Sequence, residues 1–206
     1  MTEGWVPVAL AAGLEPGTST GTRIAGAELV VWRDDAGASH VWEDRCPHRG
    51  MRLSFGFVRG NHIACLYHGW QYDTAGQCRL IPAHPDIKVP STIRATRHVS
   101  TERMGIVWTR LAGDAPELPP VEDAVATPVR TLAITAPPGL VLEHLAPDGV
   151  GRLTIEGLGV VAAVQPLSEC ETAVHVVIEG THGAAAQKTV SAWGVALRAR
   201  LEEMAA

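Results

Sequence analysis

Two short segments, Cys46-Pro47-His48-Arg49-Gly50 and Cys65-Leu66-Tyr67-His68-Gly69-Trp70, constrain this chain more than any other stretch. Each supplies one thiol and one imidazole, with one residue between them in the first segment and two in the second. Thiolates favour zinc, copper(I) and iron-sulfur centres, whereas imidazole suits zinc and iron alike. A zinc finger is therefore one reading, but its usual arrangement keeps the two Cys together and the two His together. Here the types are mixed within each half. A binuclear centre with both thiolates on one metal and both imidazoles on the other accounts better for that mixing.

The double motif resembles the Rieske [2Fe-2S] domain, in the form found at the front of Rieske oxygenases. The resemblance implies that Cys46 and Cys65 ligate one iron and that His48 and His68 ligate the outer one. It also implies a Rieske-type [2Fe-2S] cluster as cofactor. The respiratory-complex form carries an additional cysteine in each ligand loop; position 67 is Tyr and the stretch Arg49 to Leu53 has none. The chain thus resembles the oxygenase or ferredoxin type, for which a lower potential is expected. Cys78 and Cys170 remain, and a reducing compartment would keep them as free thiols. Gly50 and Gly69 either let amide N–H groups approach the cluster sulfurs or simply relieve tight turns. Tyr67 is placed to shield the cluster, to donate to a cysteine sulfur, or only to pack. Trp70 and Tyr72 share one strand face and read as packing.

A chain of 206 residues holds one large domain or two modest ones. Its net charge of -5, with basic residues scattered, gives no nucleic-acid footprint. No basic-then-apolar leader opens the chain and no apolar run reaches the length of a membrane span, so a soluble cytoplasmic protein is expected.

Short strands are expected over Trp5 to Ala9, Val30 to Trp32, His40 to Trp42, Phe57 to Arg59, Ile63 to Cys65, Trp70 to Tyr72, Cys78 to Ile81, Ile93 to Val99 and Gly105 to Thr109. Arg33 to Gly37, Gly60-Asn61 and Asp73 to Gly76 carry turn chemistry between them. The fold expected for residues 1–111 is a Rieske-type antiparallel β sandwich with two projecting cluster-binding loops. The stretch from Ala112 to Pro120 reads as a linker. Residues 112–206 are expected to form a shortened, oxygenase-like α+β domain with an assembly role. In it, strands are expected over Thr131 to Thr135, Arg152 to Glu156, Val160 to Gln165 and Ala173 to Glu179, with Pro137, Pro138 and Gly139 as punctuation. From Gly183 onward Val190, Trp193, Leu197, Leu201 and Met204 follow a helical period, with Thr181 as candidate cap.

A complete oxygenase catalytic domain, by the same resemblance, is longer and holds mononuclear iron through two nearby His and a carboxylate. No His-x3-His or His-x4-His pair occurs. His144, His175 and His182, with Glu143 or Asp148, are the remaining donors beyond the linker, and surface or structural roles suit them better. His40, His62, His84 and His98 read the same way. The expectation is one-electron transfer as a component of a Rieske oxygenase system. A reductase or ferredoxin would donate and a larger non-heme iron oxygenase subunit would receive, in an oligomer without nucleic acid or membrane. A partner-completed oxygenase subunit and a structural or redox-sensing iron-sulfur subunit are the alternatives.

Overall fold

The computed structural model describes residues 4–111 and 119–206, so most of the expected linker lies outside the described residues. In chain order the strands are β1 (Val6–Leu10), β2 (Thr18–Ile24), β3 (Ala27–Arg33), β4 (Ser39–Glu43), β5 (Phe57–Arg59), β6 (His62–Ala64), β7 (Gln71–Asp73), β8 (Cys78–Leu80), β9 (Arg97–Arg103), β10 (Ile106–Arg110), β11 (Ala126–Ile134), β12 (Val150–Ile155), β13 (Leu158–Pro166) and β14 (Thr172–Glu179). Two helices join them, α1 (Pro138–Leu145) and α2 (Ala184–Ala205). Two compact units result: one comprises 14–22 and 27–100, the other 1–13, 23–26 and 101–206.

The first unit holds both Cys-His segments. Its β3–β4 hairpin turns on Asp34, whose carboxylate accepts the Ala38 N–H at 2.8 Å and lies 3.0 Å from His40 Nε2. A four-stranded antiparallel meander, β5-β6-β7-β8, supplies the second layer. Asp35 and Gly60 exchange bonds of 2.9 Å, tying the β5–β6 turn to the β3–β4 turn. Gly76 is required at the β7–β8 turn, because its φ is +76° and a Cβ there would lie 2.7 Å from Ala95 O. Between the layers Trp32, Trp42, Leu53, Ile63 and Tyr72 are fully buried, together with Cys46, Cys65 and Cys78. The thiols therefore sit in the apolar core while their loops reach the surface.

The second unit is built on an antiparallel sheet ordered β11-β14-β13-β12. Strand β14 is buried along nearly its whole length because both faces are covered. Val174, Val176 and Ile178 face a core closed by α1 and α2, and Val177 faces a second core with Ile106 and Trp108 of β10. The helix stripe is Val190, Gly194, Leu197 and Leu201; Met204 is exposed instead. Gly194 joins it because a Cβ there would lie 3.1 Å from Leu132 Cδ1. Thr181 is not the cap of α2. Gly183 takes the N-cap position with no side-chain bond, and α1 begins where the Pro137-Pro138-Gly139 run was expected to be only a turn, with proline in its first turn.

His175 of β14 is 2% exposed and joins a polar chain through the sheet. Its Nδ1 lies 2.9 Å from Thr131 Oγ1, its Nε2 lies 2.9 Å from Gln165 Oε1, and Gln165 Nε2 donates to Arg23 O at 2.7 Å. The neutral imidazole satisfies every link. Burial pushes its pKa from 6.5 to about 4. Because the folded value lies below the unfolded one, stability is whole above pH 6.5 and is lost as pH falls toward 4. The loss should reach about 3 kcal/mol below that window. Urea unfolding followed from pH 7 to 4 checks it; His175→Gln should flatten the slope, and an equal slope in the variant would contradict this origin.

Candidate iron-sulfur centre

The two Cys-His loops are built alike. Cys46 N–H donates to Met51 O at 2.8 Å and Gly50 N–H to Cys46 O at 2.8 Å; Cys65 N–H donates to Trp70 O at 2.9 Å and Gly69 N–H to Cys65 O at 2.9 Å. Each loop thus closes on its own cysteine and turns at a glycine, with φ of +74° at Gly50 and +69° at Gly69. A Cβ on Gly69 would also lie 3.0 Å from Pro82 Cγ, so the second loop rests against the chain that follows β8. Both glycines are therefore needed for the turn itself.

The structure brings all four predicted residues to one end of the first unit. Cys46 and Cys65 are 2% and 3% exposed and belong to the same buried core. The His48 and His68 rings lie 4.7 Å apart, centroid to centroid, at the surface. His48 stacks on Trp70 at 4.2 Å with planes 5° apart, and Tyr67 leans on His68 at 3.9 Å. Each imidazole is thereby oriented by a neighbouring ring.

Burial pushes the Cys65 thiol up, more than the Tyr67 and His68 amides directed at its sulfur pull it down, and the adjoining Cys46 adds to the rise. Two neighbouring buried thiols resist joint ionisation, and a bound cation relieves that cost by taking both as thiolates. Burial, then Cys46, raises the pKa of Tyr72, whose hydroxyl lies 3.2 Å from Cys46 Sγ. It remains a phenol able to donate to the sulfur. Tyr67 was the candidate for that role; it is 57% exposed and lies on the imidazole instead. Desolvation, then His68 and Arg49, lowers the His48 pKa, which favours the neutral ring with a lone pair free for a metal. Cys78 is buried in the same core with its thiol raised by burial, and Cys170 is exposed; both are free.

The histidines beyond the first unit are engaged elsewhere. His144 Nδ1 lies 2.9 Å from Leu140 O, His182 Nε2 lies 2.8 Å from Glu179 O, and His175 is held in the sheet. Among the described residues no three His, Cys, Asp or Glu side chains converge as a single-ion site. No helix of the described residues is long and apolar enough to cross a membrane.

Comparison with known proteins agrees with the geometry. The oxidoreductase NdmD of Pseudomonas putida is 40% identical over 108 residues, which cover 52% of this chain and 18% of that protein. Methylxanthine N1-demethylase NdmA of Pseudomonas putida is 40% identical over 123 residues, covering 56% and 34%. The oxygenase subunit of 3-chlorobenzoate-3,4-dioxygenase of Comamonas testosteroni is 35% identical over 126 residues, covering 59% and 29%. The match spans about a third or less of the length of these relatives. Among solved structures, Pseudomonas putida CBB5 NdmA with caffeine superposes with a TM-score of 0.77 at 20% identity over 96% of this chain and 81% of that one. Dicamba monooxygenase bound to 3,6-dichlorosalicylic acid gives 0.79 at 16% identity over 98% and 86%. Both share the fold. The sequence profile of the Rieske [2Fe-2S] domain matches residues 4–91, and that part of the chain is a Rieske domain whose cofactor is a Rieske-type [2Fe-2S] cluster.

Proposed function

We propose that this chain is a one-electron carrier within a Rieske oxygenase system, taking electrons from a reductase or ferredoxin and delivering them to a non-heme iron site on a partner subunit. One observation carries the reading: a buried thiol pair beneath a surface imidazole pair, in two loops of the same construction. That donor set suits a two-iron centre with one covered and one accessible metal. When bound, the cluster supplies a one-electron couple whose potential histidine ligation raises above that of an all-cysteine centre. Cys46 and Cys65 would hold the inner iron and His48 and His68 the outer one. Trp70 and Tyr67 orient the two imidazoles, the amides of residues 67 and 68 and the Tyr72 hydroxyl serve the sulfurs, and the surrounding core excludes water from the thiolates.

A second reading, an oxygenase subunit whose catalytic iron a partner completes, is favoured by the fold match extending over 96–98% of the chain, well past the Rieske domain. The third, a structural or redox-sensing iron-sulfur subunit, lacks an observation of its own. Reductive titration combined with metal analysis separates the first two. The carrier reading predicts uptake of one electron per chain, no specific third iron and no substrate-dependent oxygen consumption by the chain alone. A stoichiometric third iron with oxygen-dependent turnover would overturn it.

A further inference from the structure

The chain is acidic overall, with a net charge of -5, yet the surface beside His48 is basic. A recess of about 220 Å³ opens there, lined by His48, Arg45, Arg49, Arg94 and Thr96, with Glu43 as its carboxylate. Four arginines elsewhere face carboxylates: Arg23 faces Glu171, Arg52 faces Glu28, Arg79 faces Asp73 and Arg198 faces Glu202. Among the described residues Arg45, Arg49 and Arg94 make no such pair, and the Arg94 guanidinium donates to Ala75 O at 3.0 Å. Lys88 extends the same charge around a neighbouring hollow that Arg94 also lines.

Three guanidiniums gathered around a single carboxylate, Glu43, leave an excess of positive charge, and an acidic partner would relieve their mutual repulsion while being steered toward them. Apolar contact is at hand. Leu66 and Tyr67, 50% and 57% exposed, stand in the His68 loop, so the imidazole edge carries both an apolar knob and a charged rim, the anatomy of a protein interface.

We propose that the Arg45–Arg49–Arg94 recess is the docking surface for an acidic, one-electron donor protein that delivers its electron at the His48 edge. The donor loses one electron and this chain's cluster gains it. The assignment rests on the carrier reading above and names the face through which that carrier is loaded.

The test is a binding titration of the cluster-bearing chain with an acidic plant-type [2Fe-2S] ferredoxin as probe, both proteins oxidised, at low and at physiological salt. Wild-type affinity should fall about tenfold or more across that range, since exposed charges are screened over a shorter distance as salt rises. The double variant Arg49→Glu/Arg94→Glu should weaken low-salt binding by about tenfold or more, and Arg49→Lys/Arg94→Lys should retain most of it. Arg200→Glu on α2, which alters net charge without touching the recess, should bind as wild type does. The visible spectrum of every variant should match that of the wild type. Binding that ignores both salt and reversal, or an equal loss in Arg200→Glu, overturns the docking surface, as does a loss that appears only where the cluster spectrum is also lost. A wild-type chain without any cluster spectrum would instead defeat the carrier reading, which this titration reports separately.

Discussion

Cys46→Ser and Cys65→Ser are each expected to yield nearly colourless protein whose iron and sulfide fall by an order of magnitude or more. The reason is local. Each thiol sits in the core at 2–3% exposure, so no water or outside donor replaces a lost sulfur. A serine hydroxyl ionises far less readily than a thiol, and the burial that already raises the Cys65 pKa would hold it neutral. Cys78 supplies the control, because it lies in the same apolar core and carries a free thiol. Cys78→Ala should keep iron and sulfide near wild-type levels. Iron and sulfide assays with visible circular dichroism decide the matter; a full cluster in Cys46→Ser together with its loss in Cys78→Ala would reassign the inner iron's ligands.

Replacing His48 or His68 by Cys is expected to keep a two-iron cluster but lower its potential on the order of 200 mV or more, since imidazole ligation is what separates Rieske potentials from those of all-cysteine ferredoxins. Part of the pH effect should disappear with it. A ligated imidazole retains one ring N–H; losing that proton as pH rises adds negative charge beside the iron and drives the potential down. Thiolate offers no proton in that range, so the remaining slope in each single variant should be shallower than in wild type. The two positions should differ in degree, because His48 is half-buried against Trp70 while His68 is exposed beside Tyr67. Protein-film voltammetry across pH 6 to 10 reads both quantities. Unchanged potential and slope in both variants would remove these histidines from the outer iron.

The first unit was legible because its hairpins announce themselves. Asp34, Gly60, Asp73 and Gly76 stand at turns where side-chain acceptors or positive φ are needed, and alternating apolar residues flank them. Strand β2 was missed because Thr18 to Arg23 offers no apolar alternation, its residues being mostly exposed. Helix α1 was missed for another reason: Pro138 and Gly139 read as breakers, though proline fits a first helical turn whose N–H groups have no partners. Within the site, the four candidate donors could be read from spacing alone. Their supports could not. The Tyr72 hydroxyl on Cys46, the Trp70 ring on His48 and Pro82 behind Gly69 depend on how strands and loops meet in space. The basic recess was invisible for the same reason: Arg45 and Arg49 are near neighbours in sequence, but Arg94 arrives from the far end of the unit.

The most direct measurement is iron and acid-labile sulfide analysis, with low-temperature EPR, on anaerobically purified and reduced protein. The account predicts two iron and two sulfide per chain and a Rieske-type EPR signal from a single unpaired electron. One zinc per chain with no sulfide and no EPR signal would contradict it.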